Sequence, residues 1–195
     1  MMRQAAHPWL EANMRLFTAL EIASEQKLFL AERRVNLPGA IWTPPENYHL
    51  TLRFLGEIKS RHMAEEVDFA LSRIEATTFT LQISGIGVTA TPRGERLWFG
   101  VEPSERLVRL QSRIETALRR IGLSPDTRRF TPRVTVAYLP WSPAAARWVQ
   151  LNNLSRPEPM LVHSFTLFRS FLGTDAPHYE NCADYPLAHP LVTSV

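Results

Sequence analysis

The chain has 195 residues, 45% of them apolar and 21% charged, and a formal net charge of +3. That length and apolar share support one sizeable core and exclude a disordered, collagenous or coiled-coil chain. The single cysteine, Cys182, excludes a disulfide framework or an all-cysteine zinc site within one chain.

Of the 22 basic residues only Lys27 and Lys59 are lysines. Arginine grips phosphate through a planar fork, so this mildly basic surface suits a phosphate-bearing ligand, although such a charge is also ordinary. No run of 18 apolar residues occurs, so neither a spanning helix nor a membrane partner is expected. Residues 1–13 lack a signal-like apolar stretch and read as an N-terminal extension, which makes the cytoplasm the expected location.

Regular structure is expected to start at Met14, in an apolar strand-like run through Leu20. Ser24 is placed to cap a helix to about Asn36, with Leu28, Ala31 and Val35 on its inner face. Pro38, Pro44 and Pro45 enforce a loop, and His49 to Leu55 reads as a strand. Ser60 is the expected cap of a helix whose stripe is Met63, Val67, Ala70, Leu71 and Ile74. Phe79–Val88 and Arg96–Val101 read as strands, with Pro92 and Gly94 in the turn between them. Leu107, Leu110, Ile114, Leu118 and Ile121 make an amphipathic helix stopped by Gly122. Phe130–Leu139 is a further strand, and Pro143 opens a short helix carrying Trp148 and Leu151. Met160–Leu172 and Tyr179–Leu187 are the last expected strands. The mixture lacks strict strand–helix alternation and predicts an α+β fold with largely antiparallel sheets.

Two strand segments share a pattern: His49-Leu50-Thr51-Leu52 and Arg133-Val134-Thr135-Val136. Side chains alternate along a strand, so His49 and Thr51 share one face while Leu50 and Leu52 face a core. Arg133 and Thr135 behave likewise. Side by side across a cleft, an imidazole, two hydroxyls and a guanidinium suit a phosphate. The hydroxyls donate hydrogen bonds, the guanidinium brings charge, and the imidazole moves a proton near neutral pH. The same alternation puts Arg53 on the face of His49 and Tyr138 on the face away from Arg133.

This pair of segments resembles the two His-x-Thr-x motifs of the 2H phosphoesterases. The branch it is most similar to is the bacterial RNA 2′,3′-cyclic phosphodiesterases, also called 2′-5′ RNA ligases. Further agreement lies in Arg15-Leu16-Phe17-Thr18-Ala19-Leu20, in Leu55-Gly56-Glu57 after the first motif, in Phe130-Thr131-Pro132 before the second, and in Leu167-Phe168-Arg169-Ser170 and Tyr179. The resemblance implies a single bilobal domain over residues 14–187, followed by a tail at 188–195. Its two antiparallel sheets, flanked by helices and related by a pseudo-twofold axis, would enclose a central cleft. It also implies metal-free, cofactor-free opening of RNA 2′,3′-cyclic phosphate ends, or of nucleoside 2′,3′-cyclic phosphates, to 2′-phosphomonoesters. A monomer is expected.

On this reading His49 is the catalytic acid/base, and Thr51, Arg133 and Thr135 hold the phosphate. Arg53, Arg128 and Arg129 are candidate RNA contacts. The departure is Arg133, which stands where the family has its second histidine. A guanidinium stays protonated near neutral pH and cannot act as a base, though it can stabilise charge developing on phosphoryl oxygens. The alternative is therefore a catalytically weakened module that binds RNA ends or nucleotides. His163, His178 and Tyr138 are the candidates to stand in for the missing histidine. The run Gly85-Ile86-Gly87-Val88-Thr89-Ala90 matches a dinucleotide-binding pattern, but the residues after it make a poor helix start, which argues against that use.

Overall fold

The computed structural model describes residues 13–153, 156–171 and 178–189. In chain order its elements are β1 (Met14–Glu21), α1 (Ser24–Ala31), β2 (Ile41–Trp42), a 3-10 turn (Pro45–Asn47), β3 (His49–Ile58), α2 (Arg61–Ser72), β4 (Phe79–Leu81), β5 (Ile83–Thr91), β6 (Gly94–Val101), α3 (Glu105–Arg120), β7 (Arg133–Leu139), α4 (Pro143–Asn152), β8 (Met160–Val162), β9 (Ser164–Phe171) and β10 (His178–Pro186). The expected mixed architecture is present: one large antiparallel sheet, a small two-stranded sheet (β4 with β8), and helices.

The large sheet runs β10-β9-β1-β3-β7-β6-β5, with β2 also on β7. It divides naturally into two halves, β10-β9-β1-β3 and β7-β6-β5 with β2. A single bridging pair joins them, Leu50 opposite Val134. Those two residues are the middle positions of the two sequence motifs, and both are fully buried. Antiparallel pairing about that point sets His49 opposite Thr135 and Thr51 opposite Arg133. The sequence pattern thus marks the seam of the molecule.

The helices cover the face of the sheet that carries Leu50 and Val134. There α3 buries Leu107, Leu110, Ile114 and Leu118, and α2 buries Ala64, Val67 and Leu71, in one apolar core that reaches both halves. Ser60 caps α2 as expected, accepting from Met63 N–H at 3.2 Å. Helix α1 departs from expectation. It ends at Ala31, Ser24 makes no cap bond, and its buried residues are Gln26 and Leu30. Leu28 and Val35 are exposed: Val35 lies beyond the helix, and the buried pair Gln26 and Leu30 defines a different face from that of Leu28.

Two expected strands are each split in two. Phe79–Val88 divides at Gln82, whose side-chain amide donates to Pro157 O at 3.0 Å, and Met160–Leu172, whose last residue lies outside the described residues, divides at His163. The break frees β4 and β8 to pair with each other. Ala188, expected to begin a tail, is tied to the segment leading into β4: its N–H donates to Ala76 O and its carbonyl accepts from Thr78 N–H. Among the described residues no helix is long and apolar enough to cross a membrane.

Candidate active site

A cleft of about 610 Å³ runs along the seam on the sheet face that carries His49, with Gln111 of α3 also in its wall. His49, Thr51, Arg133 and Thr135 all line it. The alternation expected from sequence holds through these four residues and then breaks on both strands in the same way. Between β1 and β3 the register slips, with Thr18 opposite Arg53 and Ala19 opposite Thr51, so Leu52 is an extra, bulged residue. Between β6 and β7 it slips again, with Leu97 opposite Ala137 and Trp98 opposite Thr135, so Val136 is bulged. A bulge puts two consecutive side chains on nearly the same side and reverses every side chain beyond it.

The consequence corrects two expectations. Arg53 borders the cleft, but its guanidinium is not directed in beside His49. It is 6% exposed and turns to the helix side, where its Nε bonds Glu115 Oε2 of α3 at 2.5 Å. Its other guanidinium nitrogens donate to the carbonyls of Phe54 and Ser124. Its guanidinium is committed to a buried ion pair at the cleft wall. Tyr138, expected on the far face, lines the cleft instead, and so does its counterpart Phe54.

His49 rests on an aromatic floor. Phe17, buried in β1, lies 4.9 Å from the imidazole centroid, and Tyr179 meets the ring edge-on at 5.1 Å. Phe17 stacks in turn on Phe168 at 5.3 Å. This patch is separate from the main core and contains Phe17, Ala19 and Phe168. His49 Nδ1 lies 2.7 Å from the carbonyl oxygen of Asn47, and an N–H donated there leaves Nε2 with its lone pair free. Burial lowers the His49 pKa to about 4, the Asn47 carbonyl opposes that shift, and nearby Lys27 adds to it. The imidazole is therefore neutral at physiological pH, the form required of a base.

Arg133 is held from its own half. Its Nη1 donates to Thr89 Oγ1 at 3.4 Å, and its guanidinium lies 5.9 Å from the centre of the Trp98 ring. Trp98 Nε1 donates to the same Thr89 hydroxyl at 2.9 Å. Gly87 explains itself here: it sits opposite Trp98, and a Cβ would come within 2.2 Å of that ring. Close strand packing, rather than nucleotide binding, accounts for that glycine-containing run. Burial lowers the Arg133 pKa, as do Arg96 and Arg128, while Tyr138 opposes them. The group remains a cation near neutral pH.

Arg128 and Arg129 both line the cleft. Arg128 is engaged by Asp126, Nε to Oδ1 at 2.9 Å and Nη2 to Oδ2 at 2.7 Å, and that pairing is the main reason the Asp126 pKa falls to about 2. Arg129 has no ion-pair partner among the described residues. His163 and His178 are exposed and lie outside the cleft lining, so of the three candidate stand-ins only Tyr138 is in place. Sequence reasoning missed Arg96 and the contact of Tyr179 with His49. Arg96 shares the cleft face through its register with Tyr138, and no motif flagged it. Among the described residues no group of three or more His, Cys, Asp or Glu is placed to hold a metal ion.

A model of LigT-like phosphoesterases matches residues 20–99. The RNA 2′,3′-cyclic phosphodiesterase of Aeropyrum pernix is 32% identical, over 69% of this chain and 79% of that protein. The chain belongs to the 2H phosphoesterases, in their LigT-like branch. An RNA 2′,3′-cyclic phosphodiesterase of Thermotoga maritima is 29% identical over 86% of this chain and 92% of its own length. The fold of this LigT-like chain matches the crystal structure of Escherichia coli LigT with a TM-score of 0.75, at 22% identity, covering 92% of this chain and all of that one. It is thus an enzyme of the phosphodiesterase family.

Proposed function

We propose that the cleft opens RNA 2′,3′-cyclic phosphate ends to 2′-phosphomonoesters, with His49 as the single motif residue that moves a proton. The observation that carries this reading is the convergence of His49, Thr51, Arg133 and Thr135 on one cleft at the seam, in a chain whose relatives bear the name of that activity. Neutral His49, held through Nδ1, takes a proton from water at Nε2. The hydroxide attacks phosphorus, and the Thr51 and Thr135 hydroxyls donate to the non-bridging oxygens. Arg133 faces the charge that builds up on those oxygens as the bond to the ribose 3′-oxygen breaks. Solvent returns a proton to that oxygen. Arg129 extends the positive lining toward the rest of the RNA.

The guanidinium supplies the charge stabilisation, so the scheme needs no metal. General acid–base catalysis by a positioned group is worth about 10²- to 10⁴-fold, and the loss of one such group predicts slow turnover. The test is incubation of the purified chain with a nucleoside 2′,3′-cyclic phosphate, with and without chelator. The 2′-monoester should form at the same rate in both. Arg133→His should raise kcat, and an unchanged rate would mean another residue already protonates the leaving oxygen.

Arg133 itself favours the second reading, a module that binds RNA ends or nucleotides without turning them over. Calorimetric binding of the cyclic nucleotide, with no product at stoichiometric enzyme, would select it.

A further inference from the structure

The cleft holds more positive charge than one cyclic phosphate can use. Six arginines line it against a single carboxylate, Asp126. Arg53 is paired with Glu115 and Arg128 with Asp126. Arg15, Arg96, Arg129 and Arg133 have no carboxylate partner among the described residues. A cyclic phosphodiester brings one negative charge, and the reading above meets it with Arg133.

Arg96 is the telling surplus. Its register opposite Tyr138 puts it on the cleft face, and its guanidinium lies 5.4 Å from the centre of the Tyr138 ring. Its Nε is buried with no hydrogen-bond partner, a costly state for a donor. It is also close enough to depress the Arg133 pKa. Two neighbouring guanidiniums without a counter-charge repel each other, and a second anionic group beside the reacting phosphoryl would relieve both. A dinucleoside 5′,5′-diphosphate brings such a group, directly bonded to the phosphorus under attack. Its cleavage also suits what the site lacks. An alcohol oxygen needs a proton as it leaves, whereas a phosphate monoester leaves as an anion whose last ionisation lies near pH ~6. A base opposite a cation is then a complete catalytic set.

We propose that the same cleft hydrolyses phosphoanhydrides of the nucleoside 5′-diphosphate type, with Arg96 and Arg133 receiving the leaving phosphate. This rests on the roles given above to His49 and Arg133. His49 Nε2 takes a proton from water, and the resulting hydroxide adds to one phosphorus. The bridging P–O bond breaks, and its electron pair leaves on the second phosphate as a dianion between the two guanidiniums. The proton on His49 passes to solvent, and the products are two nucleoside monophosphates.

The test measures kcat/KM side by side on a dinucleoside 5′,5′-diphosphate, a nucleoside 2′,3′-cyclic phosphate and an oligonucleotide ending in a 2′,3′-cyclic phosphate. Wild-type enzyme should hydrolyse the diphosphate, and His49→Ala should abolish this. Arg96→Met keeps the side chain's apolar stem over Tyr138. It should lower the ratio of diphosphate to cyclic-mononucleotide turnover by roughly 10- to 100-fold, the effect of losing a hydrogen bond to a charged group. Arg133→His should also lower that ratio, by favouring the ester. Thermal melting of each variant separates misfolding from these effects, and Arg96→Lys, which keeps the charge, should restore part of the ratio.

A wild-type enzyme that opens the cyclic phosphate and leaves the diphosphate intact overturns this inference and spares the proposed function. The converse result overturns the proposed function alone, and an enzyme inert on all three overturns both. An Arg96→Met effect equal on all substrates, or confined to the oligonucleotide, also overturns the inference. The second outcome would assign Arg96 to the next phosphate along RNA.

Discussion

The two strands that meet at the seam are built alike and present different groups to the cleft. From His49 to Phe54 the side chains run half-buried, buried, half-buried, buried, buried, exposed, and from Arg133 to Tyr138 they run the same way. Each strand has its bulge at the fourth residue, and each brings a motif residue, a threonine and an aromatic ring to the cleft. The difference lies in what surrounds the first position. His49 sits on aromatic rings that keep it neutral. Arg133 sits among other guanidiniums with a hydroxyl to orient it. One backbone pattern thus presents a proton acceptor in one half and a fixed positive charge in the other. The repeat determines where a group points, and its neighbours determine what it does.

Substitutions can break this comparison at several strengths. The largest effect is expected from His49→Ala, which removes the only imidazole in the described cleft lining. It should cut kcat by about 10²- to 10⁴-fold while leaving the melting temperature near wild type, as initial rates and thermal unfolding would show. Next is the buried position at which one strand carries a charge and the other an apolar residue, Arg53 against Ala137. Glu115→Ala leaves the buried Arg53 guanidinium unpaired and should cost about 3–5 kcal/mol of stability in urea unfolding. If the Arg53 guanidinium served the cleft chemistry instead, the loss would appear in activity with little change in stability. The smallest effects belong to the threonines. Thr51→Val and Thr135→Val should each lower kcat/KM about 10-fold, the loss of one hydrogen bond to a charged oxygen. Near-equal losses would support a two-sided grip on the phosphate, and strongly unequal ones would place it in one half.

Much of this site was legible in the sequence because period-two alternation is a local rule. His49, Thr51, Arg133 and Thr135 needed only that rule and the correspondence between the two segments. What was not legible begins at the bulges. A single extra residue in β3 or β7 is defined by the partner strand's register, and nothing in Leu52 or Val136 announces it. Arg53 and Tyr138 were therefore each assigned to the wrong face. Helix α3 was readable from its long apolar stripe, whereas the short α1 was not. There the exposed Leu28 and the buried Gln26, whose amide donates to Glu158 O at 2.9 Å, reverse the simple polarity rule. The split of the strands at Gln82 and His163 depends on a tertiary pairing, β4 with β8, that no local pattern encodes.

In the proposed mechanism one half of the cleft moves a proton and the other holds charge. The pH profile of kcat/KM on a nucleoside 2′,3′-cyclic phosphate tests it most directly, because that quantity reports ionisations of the free enzyme. Burial lowers the His49 pKa to about 4, so the neutral base persists well below the ordinary histidine range of about 6.5. The profile should show one acid limb near pH 4, no decline between pH ~6 and ~8, and a new descending limb in that interval only in Arg133→His. A bell-shaped profile in the wild-type enzyme, with a descending limb near neutrality, would reveal a second titrating group and contradict the assignment.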